Sequence, residues 1–232
     1  MIMELKQCAI WLGIFFMPLM SATCGASHLF INEFHYDNVG ADTNEQVEIA
    51  GTAGMVLQNW QLIFYNGQNG ETYYSKNLVG IISDQANGYG TLSFGIPSIQ
   101  NGPADAIALI DDQKNVIEFI GYEGSVLAVN GPAAGMYSAD INWFETNASG
   151  PNTSIQRQGT GSQGDDFYWQ IDTASPNNIN QQQHFELLAI PIPASGWLFI
   201  SACGFVMGYK RVDSAHCNSS TNDSKAANGL VD

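Results

Sequence analysis

The sequence predicts an all-β fold, a two-sheet antiparallel sandwich, with a hydrophobic helical segment on either side of it. Three observations lead there. Apolar and polar side chains alternate with period two in several short stretches between Ser27 and Ile190, the pattern of half-buried strands. Turn chemistry is dense, with 24 Gly and many Asn, Gln, Ser and Thr residues between those stretches. The central region shows no amphipathic-helix period. Hydrophobic residues make up 45% of the chain, with 12 Phe and 9 Tyr, enough to build a core and to argue against disorder.

The first strand is expected at 28–35 (HLFINEFH), with Ile31 in the core. The second, 46–50 (QVEIA), puts Val47 and Ile49 on one side. In 60–65, Trp60, Leu62 and Phe64 share the core face, while Gln61, Ile63 and Tyr65 take the other. A Gly-Gln-Asn-Gly turn at Gly67–Gly70 leads into a strand at 72–75, forming a hairpin. Further strands are expected at 90–94, 106–110 and 116–122. The polar run 111–115 (DDQKN) closes a second hairpin between the last two. Short antiparallel strands with frequent turns fit a sandwich.

The ends carry addresses. Residues 1–26 read as a signal peptide: Lys6 supplies the basic region, Cys8 to Met20 the apolar run, and Ser21, Ala22, Thr23, Gly25 and Ala26 the small residues around a cleavage site. An uncleaved anchor is the alternative, although the run is short for a span. Cys24 raises lipidation, but Ser21 and Thr23 occupy the positions where a lipobox has an aliphatic and a small residue. Residues 191–211 open with Pro191 and Pro193, run apolar from Gly196 to Tyr209, and end on Lys210 and Arg211. Those two charges would stay in the cytoplasm if the N-terminus is exported. The partner implied is a membrane, and the localisation is export followed by membrane anchoring, then the cell surface or the medium. The remainder, 212–232, is rich in Ser, Asn and Ala and reads as a disordered tail.

Charge excludes one class of partner. The chain carries a net charge of −15. Between Ser27 and Ile190 only Lys76, Lys114 and Arg157 stand against 18 Asp and Glu. Such a surface repels phosphate backbones, so nucleic-acid binding by charge is disfavoured. The cysteines, Cys8, Cys24, Cys203 and Cys217, all lie outside the central domain. That domain therefore has neither a disulfide nor a thiolate zinc site.

Several motifs of the central region, 27–185, occur in a recognisable order. Phe30-Ile31-Asn32-Glu33-Phe34 is followed by Glu45-Gln46-Val47-Glu48-Ile49 and then by Leu57-Gln58-Asn59-Trp60-Gln61-Leu62. Near the end come Phe167-Tyr168-Trp169 and Ala174-Ser175-Pro176-Asn177-Asn178-Ile179-Asn180. In this the region resembles the lamin-tail domain. It is most similar to the bacterial form that precedes secreted nucleases, through His35 to Asn38, Ile99 to Pro103 and Tyr122 to Gly124. The resemblance implies an immunoglobulin-like sandwich. No nuclease-sized segment follows here, so the expectation is a binder and not a nuclease. Ile190-Pro191-Ile192-Pro193-Ala194, Trp197-Leu198-Phe199 and Lys210-Arg211 resemble the C-terminal sorting signals of the PEP-CTERM group and its VPLPA variant. That likeness implies an exosortase-type membrane protease as a partner. The tail after Arg211 departs from such signals, which end near the basic stop.

The most chemical feature is the oxygen-rich run Glu33, Asp37, Asn38, Asp42, Glu45 and Glu48 around Gly40. Ca²⁺ takes six to eight oxygens on a flexible loop, so calcium is the cation this donor set would hold. The spacing is not that of an EF-hand; the alternative is a solvated turn with Glu33 and Glu48 holding backbone donors. Glu33 and Glu48 could also face each other across strands at a glycosidase-like distance. His28, His35, His184 and His216 each lack a partner at ligand spacing. No Gly-x-Ser-x-Gly elbow or phosphate-cradling loop occurs; Gly159-Thr160-Gly161 is turn chemistry. Tyr73-Tyr74, Tyr89 and Trp143-Phe144 could stack on sugar rings if exposed. The expected function is thus a non-catalytic surface or matrix protein whose sandwich binds a partner or adds structure. The alternatives are a calcium- or polysaccharide-binding accessory module, and a hydrolase with an unrecognised site.

Overall fold

The computed structural model describes residues 28–187. The expected export signal with Cys24, the expected sorting segment with Pro191, Pro193, Ala194, Lys210 and Arg211, and residues 212–232, expected as a tail, lie outside the described residues. Among the described residues no helix is long and apolar enough to cross a membrane.

The described chain is all-β, a sandwich of two sheets. Its strands are β1 (Leu29–His35), β2 (Gln46–Thr52), β3 (Gln61–Tyr65), β4 (Thr72–Asn77), β5 (Tyr89–Gly95), β6 (Asp105–Ile110), β7 (Val116–Tyr122), β8 (Ala139–Asp140), β9 (Thr153–Gly161), β10 (Tyr168–Thr173) and β11 (Gln183–Phe185). One short 3₁₀ turn, Gly164–Asp166, sits between β9 and β10. The first sheet runs β10-β9-β1-β2-β5, with β11 added in parallel on β9. The second runs β4-β3-β6-β7-β8, and only its β7–β8 pair is parallel. Strands β1 to β7 fall where the alternation places them; β8 to β11 do not show in the sequence.

Ile31, Phe34, Val47 and Ile49 of the first sheet meet Leu62, Phe64, Ile107, Leu109 and Ile120 of the second in the main core. Each such side chain contributes about 1.5–3 kcal/mol on leaving water. Trp60 stands just before β3 and is half-buried, packed against this core. The far face of the second sheet is also covered. Ile63, Tyr65, Ala106, Ala108 and Ile110 lie under Val126, Ala128 and Ala133 from the connection after β7. Tyr65 accepts the Ala133 N–H at 3.0 Å and pins that cover down. Both faces of β3 and β6 are thus dry, which is why 105–110 reads DAIALI without an outward polar residue after Asp105.

A β-bulge sets the chemistry of the first sheet. Leu29 to Ile31 pair with β2 in one register and Glu33 to His35 in another, so Asn32 is the extra residue. Without it, strict alternation would put Glu33 on the same side as Ile31, inside the core. With it, Ile31 and Phe34 both enter the core, and Asn32 and Glu33 join a polar layer on the sheet's outer face.

Candidate functional site

That outer layer gathers the motif residues. The bulge places Glu33 directly opposite Glu48 of β2, and both are 0% exposed. The segment after β10 lies over them. Glu33 accepts the Ser175 N–H at 3.0 Å and lies 2.8 Å from the Ser175 Oγ. Glu48 accepts the Asn177 N–H at 2.5 Å and the Asn32 amide at 3.1 Å. Gln183 of β11 donates to Asn32 Oδ1 at 2.6 Å, and Asn180 donates to the Arg157 carbonyl at 2.9 Å. Ser175 Oγ also lies 2.7 Å from Asn180 Oδ1. A hydroxyl has one proton for these two oxygen contacts, so it serves Glu33 or Asn180 one at a time. Burial pushes the Glu33 carboxyl up, against the lowering effect of Ser175. Burial, reinforced by the charge of Glu33, pushes Glu48 up to about 8. The pair is a latch that fastens the chain's return segment to the sheet. No substrate reaches it.

A second junction ties the sheets together. Arg157 on β9 pairs with Glu118 on β7 and donates to the Gly164 carbonyl. Its Nε donates to the Ile31 carbonyl at 2.9 Å, and Glu118 accepts the Ile31 N–H at 2.7 Å. The guanidinium lies 4.4 Å from the Trp169 ring centroid and 5.5 Å from that of Phe30. Burial raises the Glu118 carboxyl, and Arg157 acts against that rise. These contacts satisfy the Ile31 backbone, which lies beyond the two residues where β1 pairs with β9.

The end of the sandwich where β1 finishes and β6 begins is acidic. Tyr36 and Asp37 donate their N–H groups to Glu145 at 2.7 and 3.2 Å. His35 Nδ1 lies 2.7 Å from Glu145, and its Nε2 lies 3.3 Å from Asn38 Oδ1. Both ring nitrogens face oxygen, so His35 is held as an imidazolium. Burial opposes that charge, but the Glu145 carboxylate more than offsets it and the pKa is raised. Tyr36 donates to Glu123 at 2.8 Å. Glu45 caps the N–H groups of Ser98 and Ile99 at 2.6 and 3.1 Å. Asp105 accepts from Gly67 at 2.8 Å. A Cβ on Gly67 would stand 1.2 Å from the Ala104 carbonyl oxygen, so the hairpin turn requires glycine for this close approach. Beside these acids, Glu123, Gly124, Asp140, Asn142, Trp143 and Phe144 line an open cleft of about 350 Å³. Phe144 is 56% exposed.

The six residues of the oxygen-rich run thus part company. Glu33 and Glu48 belong to the latch, and Glu45 caps the 98–99 turn. Asp37, Asn38 and Asp42 stay together in the loop after β1. Asn38 shapes that loop by accepting the Thr43 N–H at 2.9 Å and donating to the Val39 and Ala41 carbonyls. Among the described residues no three His, Cys, Asp or Glu side chains converge as a ready metal cage. Glu145, Glu118 and Asn101 have no counterpart among the expectations: each is brought in from more than 50 residues away. Arg157 alone left a signal, as the only Arg between Ser27 and Ile190.

No family model matches the chain. No curated protein and no solved structure matches it either.

Proposed function

We propose that this chain is an exported, non-catalytic protein of the cell surface or extracellular matrix, in which a lamin-tail sandwich of the immunoglobulin-like type serves as a binding or structural module. The observation that carries the reading is the fate of Glu33 and Glu48. They are the carboxylate pair best placed for acid–base work, and they are fully buried and bonded to their own chain. The residues that carry the lamin-tail resemblance also have a common purpose here. The Asn32-Glu33 motif, Glu48 and the Ser175–Asn180 motif are all members of the latch. What remains for recognition is the acidic end with its aromatic cleft.

A polysaccharide-binding accessory role is the second reading, and the cleft favours it. An exposed aromatic face beside Glu123, Asp140 and Asn142 offers stacking together with hydroxyl acceptors, the chemistry that holds a sugar ring. The export signal, the membrane segment and processing by an exosortase-type protease belong to the same proposal. The full-length protein, applied to a glycan array and to immobilised extracellular polysaccharide, is expected to bind without turnover. Phe144→Ala is expected to weaken binding about tenfold, the cost of one stacking face of about 1–1.5 kcal/mol. Release of reducing sugar by the wild-type protein would place it among hydrolases instead.

A further inference from the structure

Among the described residues, Asp37 is the one of the acidic end with a buried side-chain oxygen that has no partner. It is 5% exposed, and its Oδ1 is buried without a hydrogen bond. A buried carboxylate oxygen left bare costs free energy, so native structures supply a donor or a cation. Among the described residues no donor bonds this oxygen. Asp37 lies within hydrogen-bonding reach of the Asp42 carboxyl, another acceptor. The Asn101 side-chain amide stands between the two acids, 3.4 Å from Asp42 Oδ2 and within reach of Asp37. The described lysines and Arg157 are elsewhere: Lys114 reaches Gln61 at the opposite end of the sandwich, Lys76 pairs in register with Leu62, and Arg157 is committed to Glu118. The imidazolium of His35 is committed to Glu145 and Asn38.

Two carboxylates in contact, one of them buried and bare, require either a shared proton or a cation. The surroundings decide between them. Glu45, Glu123 and Glu145 all lie close enough to act electrostatically on Asp37 or Asp42, or on both. That field favours a doubly charged ion over a single proton. The donors are all oxygens, and they sit on the loops after β1 and β5 and not on rigid strands. This suits a hard cation of the calcium class, which accepts carboxylate, amide and backbone oxygens at variable angles. The Asn101 amide would present its oxygen to the ion by a half-turn, since nothing else in its contacts fixes its orientation. Neither Glu33 nor Glu48 takes part.

We infer that Asp37 and Asp42, with the Asn101 side chain, form a divalent-cation site of the calcium class that joins the loop after β1 to the loop after β5. The probe is CaCl₂ added to chelator-treated full-length protein, followed by titration calorimetry, by thermal unfolding and by Tb³⁺ luminescence sensitised through Tyr36. The expected result is one saturable site with a dissociation constant at or below about 1 mM, in the range of extracellular calcium modules, with a raised melting temperature. Asp42 is exposed, so Asp42→Asn is expected to leave the fold intact and to weaken binding about tenfold or more. Asp84→Asn, at the opposite end of the sandwich, is expected to change nothing. No heat and no melting shift in the wild type would overturn the inference, as would binding that never saturates or that survives in Asp42→Asn. A shared proton would show itself differently: Asp37→Asn would raise the melting temperature of calcium-free protein while the wild type ignored calcium, and that result also overturns it.

Discussion

Glu48 is a carboxyl that the fold protonates. Its pKa rises from 4.5 to about 8 through burial and the neighbouring charge of Glu33. A group raised in the folded state stabilises that state while it holds its proton, and the contribution is lost as pH rises through the folded value. The window for Glu48 is therefore 4.5 to about 8. Glu33, Asp37, Glu45, Asp105, Glu118 and Glu123 are raised too, mainly by burial, and His35 is raised by Glu145 against its burial. All of these push in the same direction. Urea unfolding is expected to show higher stability near pH 5 than near pH 8, with a shallower decline in Glu48→Gln. A stability that climbs across that range would count against the latch as drawn. Arg157 gives a second residue-scale test. Its removal strands Glu118 and the Ile31 carbonyl, so Arg157→Ala is expected to cost about 3–5 kcal/mol in urea unfolding. A cost below about 1 kcal/mol would mean that the pair is as weak as a surface bridge.

At the scale of elements, the bulge in β1 is the device on which the outer layer depends. Deleting Asn32 would remove the extra residue and make the register continuous, leaving Glu33 outward and opposite Glu48 with Phe34 still inward. The deletion variant is expected to retain a cooperative unfolding transition, as is Asn32→Ala, which removes only the hydrogen bonds to Glu48 and Gln183. Circular dichroism through a urea series checks both, and loss of the transition in the deletion variant would count against this reading of the register. The same level explains what could be read in advance. Strands β1 to β7 were legible because each carries an apolar face or an apolar run bounded by turns. Strand β9, Thr153–Gly161 (TSIQRQGTG), was not, since Ser154, Gln156, Arg157 and Gln158 are buried polar residues. They lie in the layers occupied by the latch segment and the Arg157–Glu118 junction, and polar burial leaves no hydrophobic period to detect. Strand β11 is three residues long and owes its place to pairing with β9.

Across the whole molecule, acidic side chains serve two ends. One set, the buried Glu33 and Glu48 and the half-buried Glu118, belongs to the architecture. The other, Asp37, Asp42, Glu123, Asp140 and their neighbours, surrounds the loops at one end of the sandwich. The sequence brought Glu33, Asp37, Asp42, Glu45 and Glu48 together as one run because they are close along the chain. Strand pairing then separates them, and long-range partners such as Ser175, Asn101 and Glu145 complete each group. Spacing along the chain holds no record of those partners. The acidic end is also the part suited to meeting a polymer or a cation, since it unites exposed aromatics, carboxylates and loops free of Lys and Arg.

The division between architecture and recognition is tested most directly by measuring polysaccharide binding and urea stability side by side in two variants of the full-length protein. One carries Glu33→Gln with Glu48→Gln, the other Trp143→Ala with Phe144→Ala. The account predicts that the first changes stability and its pH dependence while binding persists, and that the second loses binding while its stability stays within about 1–2 kcal/mol of wild type. Loss of binding or of a hydrolytic activity in the first variant with its stability unchanged would contradict it, because Glu33 and Glu48 would then be the working site.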